Sequence, residues 1–453
     1  MAVMKIQYFL AGLLLSASSA CNSWLEPESE VDPDRNTLLK SPGGIDDAFT
    51  GIYASMSHKD LYGRTLTYYV PSILAGHYGM VGTDIAHWMK YPYDRQAESY
   101  SETAIIDIDR VWSRLYNVIA NANSIIDYAK SVDADEKDAA MRHAKGEALG
   151  IRGFIHFELL RYFGQPYATG ADSRAIPYMD EMSGVASPIL TGREVAKKII
   201  SDLEHGLSLT EDAADSGVMR FGHTAMLAAL ARIHLYMGDT DSAHDIAIRV
   251  MNERPASISW YEPATDTGDD MLRCELIFAL NISRMKEYAA GWILPGGIGR
   301  KNTIMVLTQA GEYYYDENDD IRVRLWVTPI ANDRYCKKFD LDSPYPIMPM
   351  IRLSEMAYIA AETASTPIES IAYLNIVRTH RGLVPLPDDG TVNISDEIAK
   401  EYQREFLCEG QLWHFYKRKM YGNIPGNSYF AGRINLYTFP LPEDETIFGD
   451  PSK

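Results

Sequence analysis

The sequence predicts a mostly α-helical chain: a scaffold of antiparallel helix pairs, interrupted by long loop-rich excursions and carrying a few short strands. Three observations predict it. Apolar residues return at three- and four-residue steps over Val111–Ala129, Ala144–Phe163 and Thr191–Leu209, the period of a helix with one buried face. Leu230, Ala231, Gly238, Ala243 and Pro255 stand at the spacing of one tetratricopeptide-like helix pair. Residues 60–103 and 256–350 break both patterns and are rich in Gly, Pro, Tyr and Trp.

Residues 1–20 read as a signal peptide, with Lys5 as the positive region, Ile6–Leu15 as the apolar segment and small residues from Ser16 to Ala20. Cys21 follows directly. Ser18-Ser19-Ala20-Cys21 resembles the lipobox of bacterial lipoproteins, although Ser18 stands where an aliphatic residue is usual. The expectation is cleavage before Cys21, acylation of its thiol, and an acidic tether over residues 21–40. A single domain is expected over 41–453.

Within that domain Ala144, Ala148, Ile151, Ile155, Leu159 and Tyr162 share one helical face. Thr191 with Glu194 three residues on makes a capping box. In Ala225–Pro255 small residues let two helices approach, Gly238 takes the turn and Pro255 ends the pair. A second unit starts at Glu355, with Ala360 and Ala372 twelve apart and Pro367 expected in the turn. Glu275–Ile282 (ELIFALNI) reads as a strand.

Composition narrows the function. The 453 residues are 46% hydrophobic and carry a formal charge of −19, which supplies no basic face for nucleic acid. Beyond the leader, no apolar run approaches the roughly 18 residues of a membrane span. Cys274, Cys336 and Cys408 are an odd set, far apart, and read as buried small side chains rather than a disulfide framework. HExxH, GxSxG and Walker A motifs are absent from the sequence. Gly296-Gly297-Ile298-Gly299-Arg300-Lys301 follows a proline and lacks the phosphate-loop spacing. Asp316–Asp320 lacks the glycine and distal glutamate of a calcium loop. No catalytic residue, metal or cofactor is expected, and the chain reads as a non-enzyme.

The aromatic supply is unusual: Tyr outnumbers Phe 29 to 13, and there are 7 Trp. An aromatic face with a polar rim suits a pyranose, whose C–H groups pack on the ring while its hydroxyls bond elsewhere. Trp88, Tyr91 and Tyr93 in one excursion, and Tyr288 and Trp292 in the other, are the candidate ligand contacts. Tyr313-Tyr314-Tyr315 is a weaker third cluster, and Trp112, Trp326 and Trp413 read as core.

Several segments carry a family resemblance. Val111-Trp112, Leu115-Tyr116 and Asn121-Ala122-Asn123 fit a W-x-x-x-Y…N helix; Gly146-Glu147-Ala148, Arg152, Phe157, Leu160, Tyr162-Phe163-Gly164 and Pro166 fit GEA…R…F…L…YG-x-P. Arg352, Glu355, Ala361-Glu362, Leu374-Asn375 and Arg378 fit R-x-x-E…AE…LN-x-x-R, followed by Glu401, Glu405, Glu409-Gly410 and Arg418, and by Phe439-Pro440-Leu441-Pro442 with Glu445. In order and spacing the chain resembles the SusD/RagB family, named for a starch-utilisation lipoprotein of gut Bacteroidota. Leu412, Phe415 and Tyr402 stand where that family commonly has charged residues.

The resemblance implies a SusD-like fold and a lipid-anchored protein on the outer-membrane surface, meeting the membrane only through Cys21. Its implied partner is a TonB-dependent, SusC-like transporter, and its implied ligand an oligosaccharide that it binds without cleaving. Rival readings are the same lid serving peptides, a periplasmic glycosidase, and a helical-repeat scaffold that recruits proteins. For Arg352, Glu355, Glu362 and Arg378 the expectation is buried charge pairs that lock helices, since unpaired they would be costly to bury.

Overall fold

In a computed structural model of the chain, the described residues are 38–79, 87–88, 93, 101–134, 138–181, 187–214, 216–265, 269–290, 307, 319–330, 333–339, 341 and 343–447. Residues 21–37, with Cys21 and most of the acidic tether, and Tyr91, Trp292 and Tyr313–Tyr315 lie outside them. The described residues fall into two units, one ending at Asp46 and one beginning at Asp47. The described part of the first opens helix α1 (Pro42–Met56), where the Gly44 amide donates to Ser41 Oγ at 3.1 Å.

Residues 61–78 depart from the expected surface loop. A π-helical turn (Thr65–Tyr69) runs into α2 (Val70–Leu74), and every residue of both is buried. The reason is local: Leu66, Tyr68, Tyr69, Val70, Ile73 and Leu74 leave no polar face to turn outward, and Pro71 fits the first turn of a helix.

Helices α3 (Glu102–Ser131), α4 (Ala139–Phe163) and α5 (Gly192–Leu209) pack side by side, each opened by a side-chain cap from Ser101, Asp138 or Thr191. The Thr191–Glu194 capping box forms as its spacing predicts. Strands β1 (Arg174–Pro177) and β2 (Ile189–Thr191) pair antiparallel between α4 and α5. Glycine makes the α4–α5 contact possible. A Cβ on Gly206 would lie 2.7 Å from the Gly146 carbonyl oxygen, and one on Gly146 would lie 2.6 Å from Thr210 Cγ2. Arg152 of α4 then ties the three helices, donating to Asp202 of α5 at 2.6 and 2.7 Å and to Asn123 of α3 at 2.9 Å.

Helices α6 (His223–Met237) and α7 (Thr240–Glu253) are the predicted pair. Gly238 turns the chain at φ +80°, and Asp239 caps α7 through the Ser242 amide. The second excursion contributes β3 (Leu276–Asn281), α8 (Met285–Ala289), α9 (Ile321–Trp326), the antiparallel hairpin of β4 (Val327–Ile330) and β5 (Asp333–Cys336), and β6 (Ile347–Arg352). The ELIFALNI segment forms β3 and pairs antiparallel with β6. Nearly all residues of both strands are buried, which explains an apolar run with little alternation.

From β6 the chain enters α10 (Leu353–Thr363) and α11 (Pro367–Thr379). Pro367 is not in the turn, as the spacing suggested, but at the start of α11 behind a Thr366–Glu369 capping box. The two helix pairs are dispersed in sequence yet adjacent in space, because α7 packs on α10. Helices α12 (Ile394–Glu405) and α13 (Gln411–Arg418) complete the stack.

A buried charge network joins the excursion to this stack. Arg322 of α9 meets Asp320, Glu401 and Glu405; Arg381 meets Glu275 and Glu405. The four charges expected to pair do so, each with a partner elsewhere in the chain. Arg352 binds Glu409, Glu355 binds Arg232, Glu362 binds Arg418, and Arg378 binds Glu397. Where charges are usual in the resembled family, Tyr402 stacks on Phe415 with centroids 4.4 Å apart, so an apolar contact fills the place of an ionic one.

Candidate ligand cleft

A cleft of about 450 Å³ lies between α1 and the β3–α8 corner of the second excursion. The helix wall is Thr50, Tyr53, Ala54 and Ser57, one face at three- and four-residue spacing. The opposite wall is Leu280 and Asn281 at the end of β3, then Ser283, Arg284 and Tyr288. Met219, Arg220 and His58 close the rim.

The walls are stiffened by polar bonds. Tyr53 donates to Glu147 Oε1 at 2.5 Å and accepts from the Phe221 amide at 2.7 Å, while Arg220 grips Glu147 at 2.7 and 2.8 Å. Burial, with Glu147 beside it, drives the Tyr53 phenol well above its usual pKa, so it stays protonated. Ser57 Oγ donates to the Asn281 carbonyl at 2.7 Å and so bridges the two walls. Glu287 holds the Arg284 guanidinium at 2.7 and 2.5 Å, and that guanidinium lies 5.4 Å from the centre of the Tyr288 ring. Burial and nearby Arg114 lower the pKa of His58, which keeps its ring neutral at pH 7. The cleft thus sets a largely buried tyrosine, 9% exposed and with the Arg284 guanidinium over its ring, among hydroxyl and amide groups, a lining suited to holding a polyhydroxylated molecule.

A second cleft of about 200 Å³, bounded by Thr210, Glu211, His223, Glu253 and Pro255, has no Trp, Tyr or Phe in its lining. It lacks a stacking platform.

The candidate aromatics separate. Tyr288 is in the larger cleft. Trp88 and Tyr93 are instead enclosed, 1% and 3% exposed, and correct the expectation that their faces meet a ligand. Trp88 lies 5.5 Å from Tyr93 and 5.8 Å from Phe439, Tyr93 meets Phe439 edge-on at 5.5 Å, and Phe439 stacks on Tyr162 at 5.3 Å. The rings pin the Phe439-Pro440-Leu441-Pro442 segment to α4, with the Phe439 amide donating to the Tyr162 carbonyl at 2.9 Å. Trp112, Trp326 and Trp413 are buried, as their patterns predict. Sequence reasoning missed Tyr53, Ser57, Asn281 and Arg284; the signal available was the polar stripe Thr50–Tyr53–Ser57 on one face of α1. Among the described residues no group of three His, Cys, Asp or Glu side chains is placed to hold a metal ion.

Comparison with known proteins adds a second kind of observation. A family profile described as "Starch-binding associating with outer membrane" matches residues 23–235, and one described as "SusD family" matches residues 345–448. The chain belongs to the SusD/RagB family. A SusD-like protein P2 from Formosa agariphila is 28% identical over 224 residues, 48% of this chain and 40% of that protein, so the match spans less than half of the relative. Solved SusD superfamily structures share the fold. One from Bacteroides thetaiotaomicron has TM-score 0.70 at 20% identity, covering 90% of this chain and 98% of its own. A SusD-like carbohydrate-binding protein from Bacteroides vulgatus has TM-score 0.71 at 16% identity, covering 91% and 98%. A laminarin-binding SusD-like protein has TM-score 0.64 at 16% identity, covering 89% and 96%. The helical-pair scaffold read from the sequence is therefore that of the SusD superfamily, and no helix among the described residues is long and apolar enough to cross a membrane.

Proposed function

We propose that this protein is a nutrient-binding lipoprotein of the outer-membrane surface, moored through Cys21, which captures an oligosaccharide and delivers it intact to a TonB-dependent, SusC-like transporter. The observation that carries the reading is the Tyr288 cleft, an aromatic ring among fixed polar groups on a SusD-type scaffold. Support for the ligand class comes from the starch-binding description of the matching profile and from the laminarin-binding relative. Tyr288 is the proposed sugar platform, and the proposal extends to Tyr91 and Trp292 on their sequence setting alone. Capture needs only modest affinity: a stacked ring contributes about 1 kcal/mol, and several polar contacts add to it.

The test is calorimetric titration with neutral glucans, other plant and algal oligosaccharides, and basic and neutral peptides. The expected result is saturable glycan binding with no released reducing ends, weakened about tenfold by Tyr288→Ala and largely kept by Tyr288→Phe. Binding of peptides alone would transfer the same lid role to that ligand class, and release of reducing ends would make the protein a hydrolase.

A further inference from the structure

Two thiols far apart in the chain meet where the second excursion joins the helical stack. Cys336 closes β5, and Cys408 sits in the turn between α12 and α13 at φ +64°. Both are fully buried. Lys338, two residues beyond Cys336, clamps the two segments together. Its Nζ donates to the Glu405 carbonyl at 2.5 Å and lies 2.8 Å from Glu409 Oε1, so it grips the turn on either side of Cys408. The Cys336 and Cys408 thiols each perturb the other's titration, as neighbouring groups do, and the Tyr78 hydroxyl lies 3.0 Å from Cys408 Sγ. Neither thiol takes part in the ligand cleft.

We propose that Cys336 and Cys408 are a disulfide site, whose oxidation staples the excursion hairpin to the α12–α13 turn. The chemistry is thiol–disulfide exchange. The Cys336 thiolate attacks a sulfur of a disulfide-bearing oxidant, forming a mixed disulfide and releasing one oxidant thiolate. The Cys408 sulfur, having lost its proton, then attacks the Cys336 sulfur and expels the second. Two cysteine thiols become one S–S bond, and the two electrons and two protons end on the reduced oxidant. Both sulfurs are enclosed in the closed form, so the first attack requires the hairpin to open. The oxidant would be met in the cell only by an exported chain, so that part rests on the proposed surface location. Whether the bond forms does not. The staple constrains a segment that leads back through β6 into the scaffold, and favours the closed hairpin over an opened one.

The test labels thiols, cysteine by cysteine, in denaturant before and after reduction, using the full chain recovered from cells and the purified chain. The purified chain is first equilibrated with glutathione disulfide in enough urea to open the hairpin. After equilibration, Cys336 and Cys408 are expected to take up less than a tenth of the label found on Cys274, and full label after reduction, with one cross-linked peptide joining them. Cys408→Ser is expected to restore labelling of Cys336. Equal labelling of Cys274, Cys336 and Cys408 after equilibration, or a bond from Cys336 or Cys408 to Cys21 or Cys274, overturns the proposal. A staple found in the purified chain but not in the cellular one would contradict only the proposed exposure to an oxidant.

Discussion

At the scale of single residues, what packs against an aromatic decides whether it can serve a ligand. Trp88 and Tyr288 both stand in aromatic, loop-rich sequence, and nothing in their neighbours separates them. The difference arises from Phe439, more than three hundred residues after Trp88, which closes over Trp88 and Tyr93, whereas Tyr288, itself only 9% exposed, lines the cleft. No local pattern announces such a long-range contact. Trp88→Ala is accordingly expected to lower unfolding stability by about 3–5 kcal/mol, as truncation of a large enclosed side chain does. Urea unfolding measures it, and an effect below about 1 kcal/mol would mean that the ring is not packed as described. Gly238→Ala carries a different penalty. A Cβ there meets nothing within 4 Å, so only its φ of +80° opposes the change, and the expected loss is about 1 kcal/mol by the same measurement.

At the scale of elements, the periodic stretches were legible and the buried irregular ones were not. The α3, α5 and α7 helices follow from apolar spacing and caps, because each has one face to bury and a side chain to start it. Helices α4 and α6 are buried nearly all round and are read from their small residues and apolar recurrence. The π-turn at Thr65–Tyr69 is buried on all sides and so has no period to read. Pro367 was misread because a proline suits a turn and a first helical turn equally, and only the Thr366–Glu369 box distinguishes them. The cleft was legible through Tyr288 alone, since its other wall comes from α1, far away in sequence. The α4–α5 contact gives a direct prediction. Gly206→Ala would place a methyl carbon 2.7 Å from the Gly146 carbonyl oxygen and force the helices apart, an expected loss of about 1–3 kcal/mol in urea unfolding.

The charge pairs of α10 and α12 set an acid limit. Burial would raise the carboxyl pKa of Glu362 and of Glu401, but Arg418 with Lys419 in the first case, and Arg322 with Arg404 in the second, hold each at about 2. Their folded values lie below the ordinary 4.5, so the stability they contribute is complete above that pH and is lost as pH falls from about 4.5 toward 2. The expected loss is on the order of 3 kcal/mol per carboxylate, followed by thermal melting against pH. In Glu362→Gln the acid slope should shrink; an unchanged slope would contradict the pairing.

For the whole molecule, the helical stack acts as a frame that holds one cleft between its first helix and a returning excursion. The formal charge of −19 keeps such a surface soluble and turns it away from polyanions, while a lipid on Cys21 would hold it at the membrane. Cys21→Ser is therefore expected to move the protein from the membrane to the soluble fraction of fractionated cells, and retention in the membrane fraction would refute acylation at that thiol. The most direct measurement of the central claim is a crystal structure with an oligosaccharide that binds in calorimetry. The expected density shows a sugar ring packed on Tyr288, about 4 Å from its face, with hydroxyls reaching Asn281 or Arg284. A ligand ordered elsewhere on the protein, with the Tyr288 cleft empty, would contradict it.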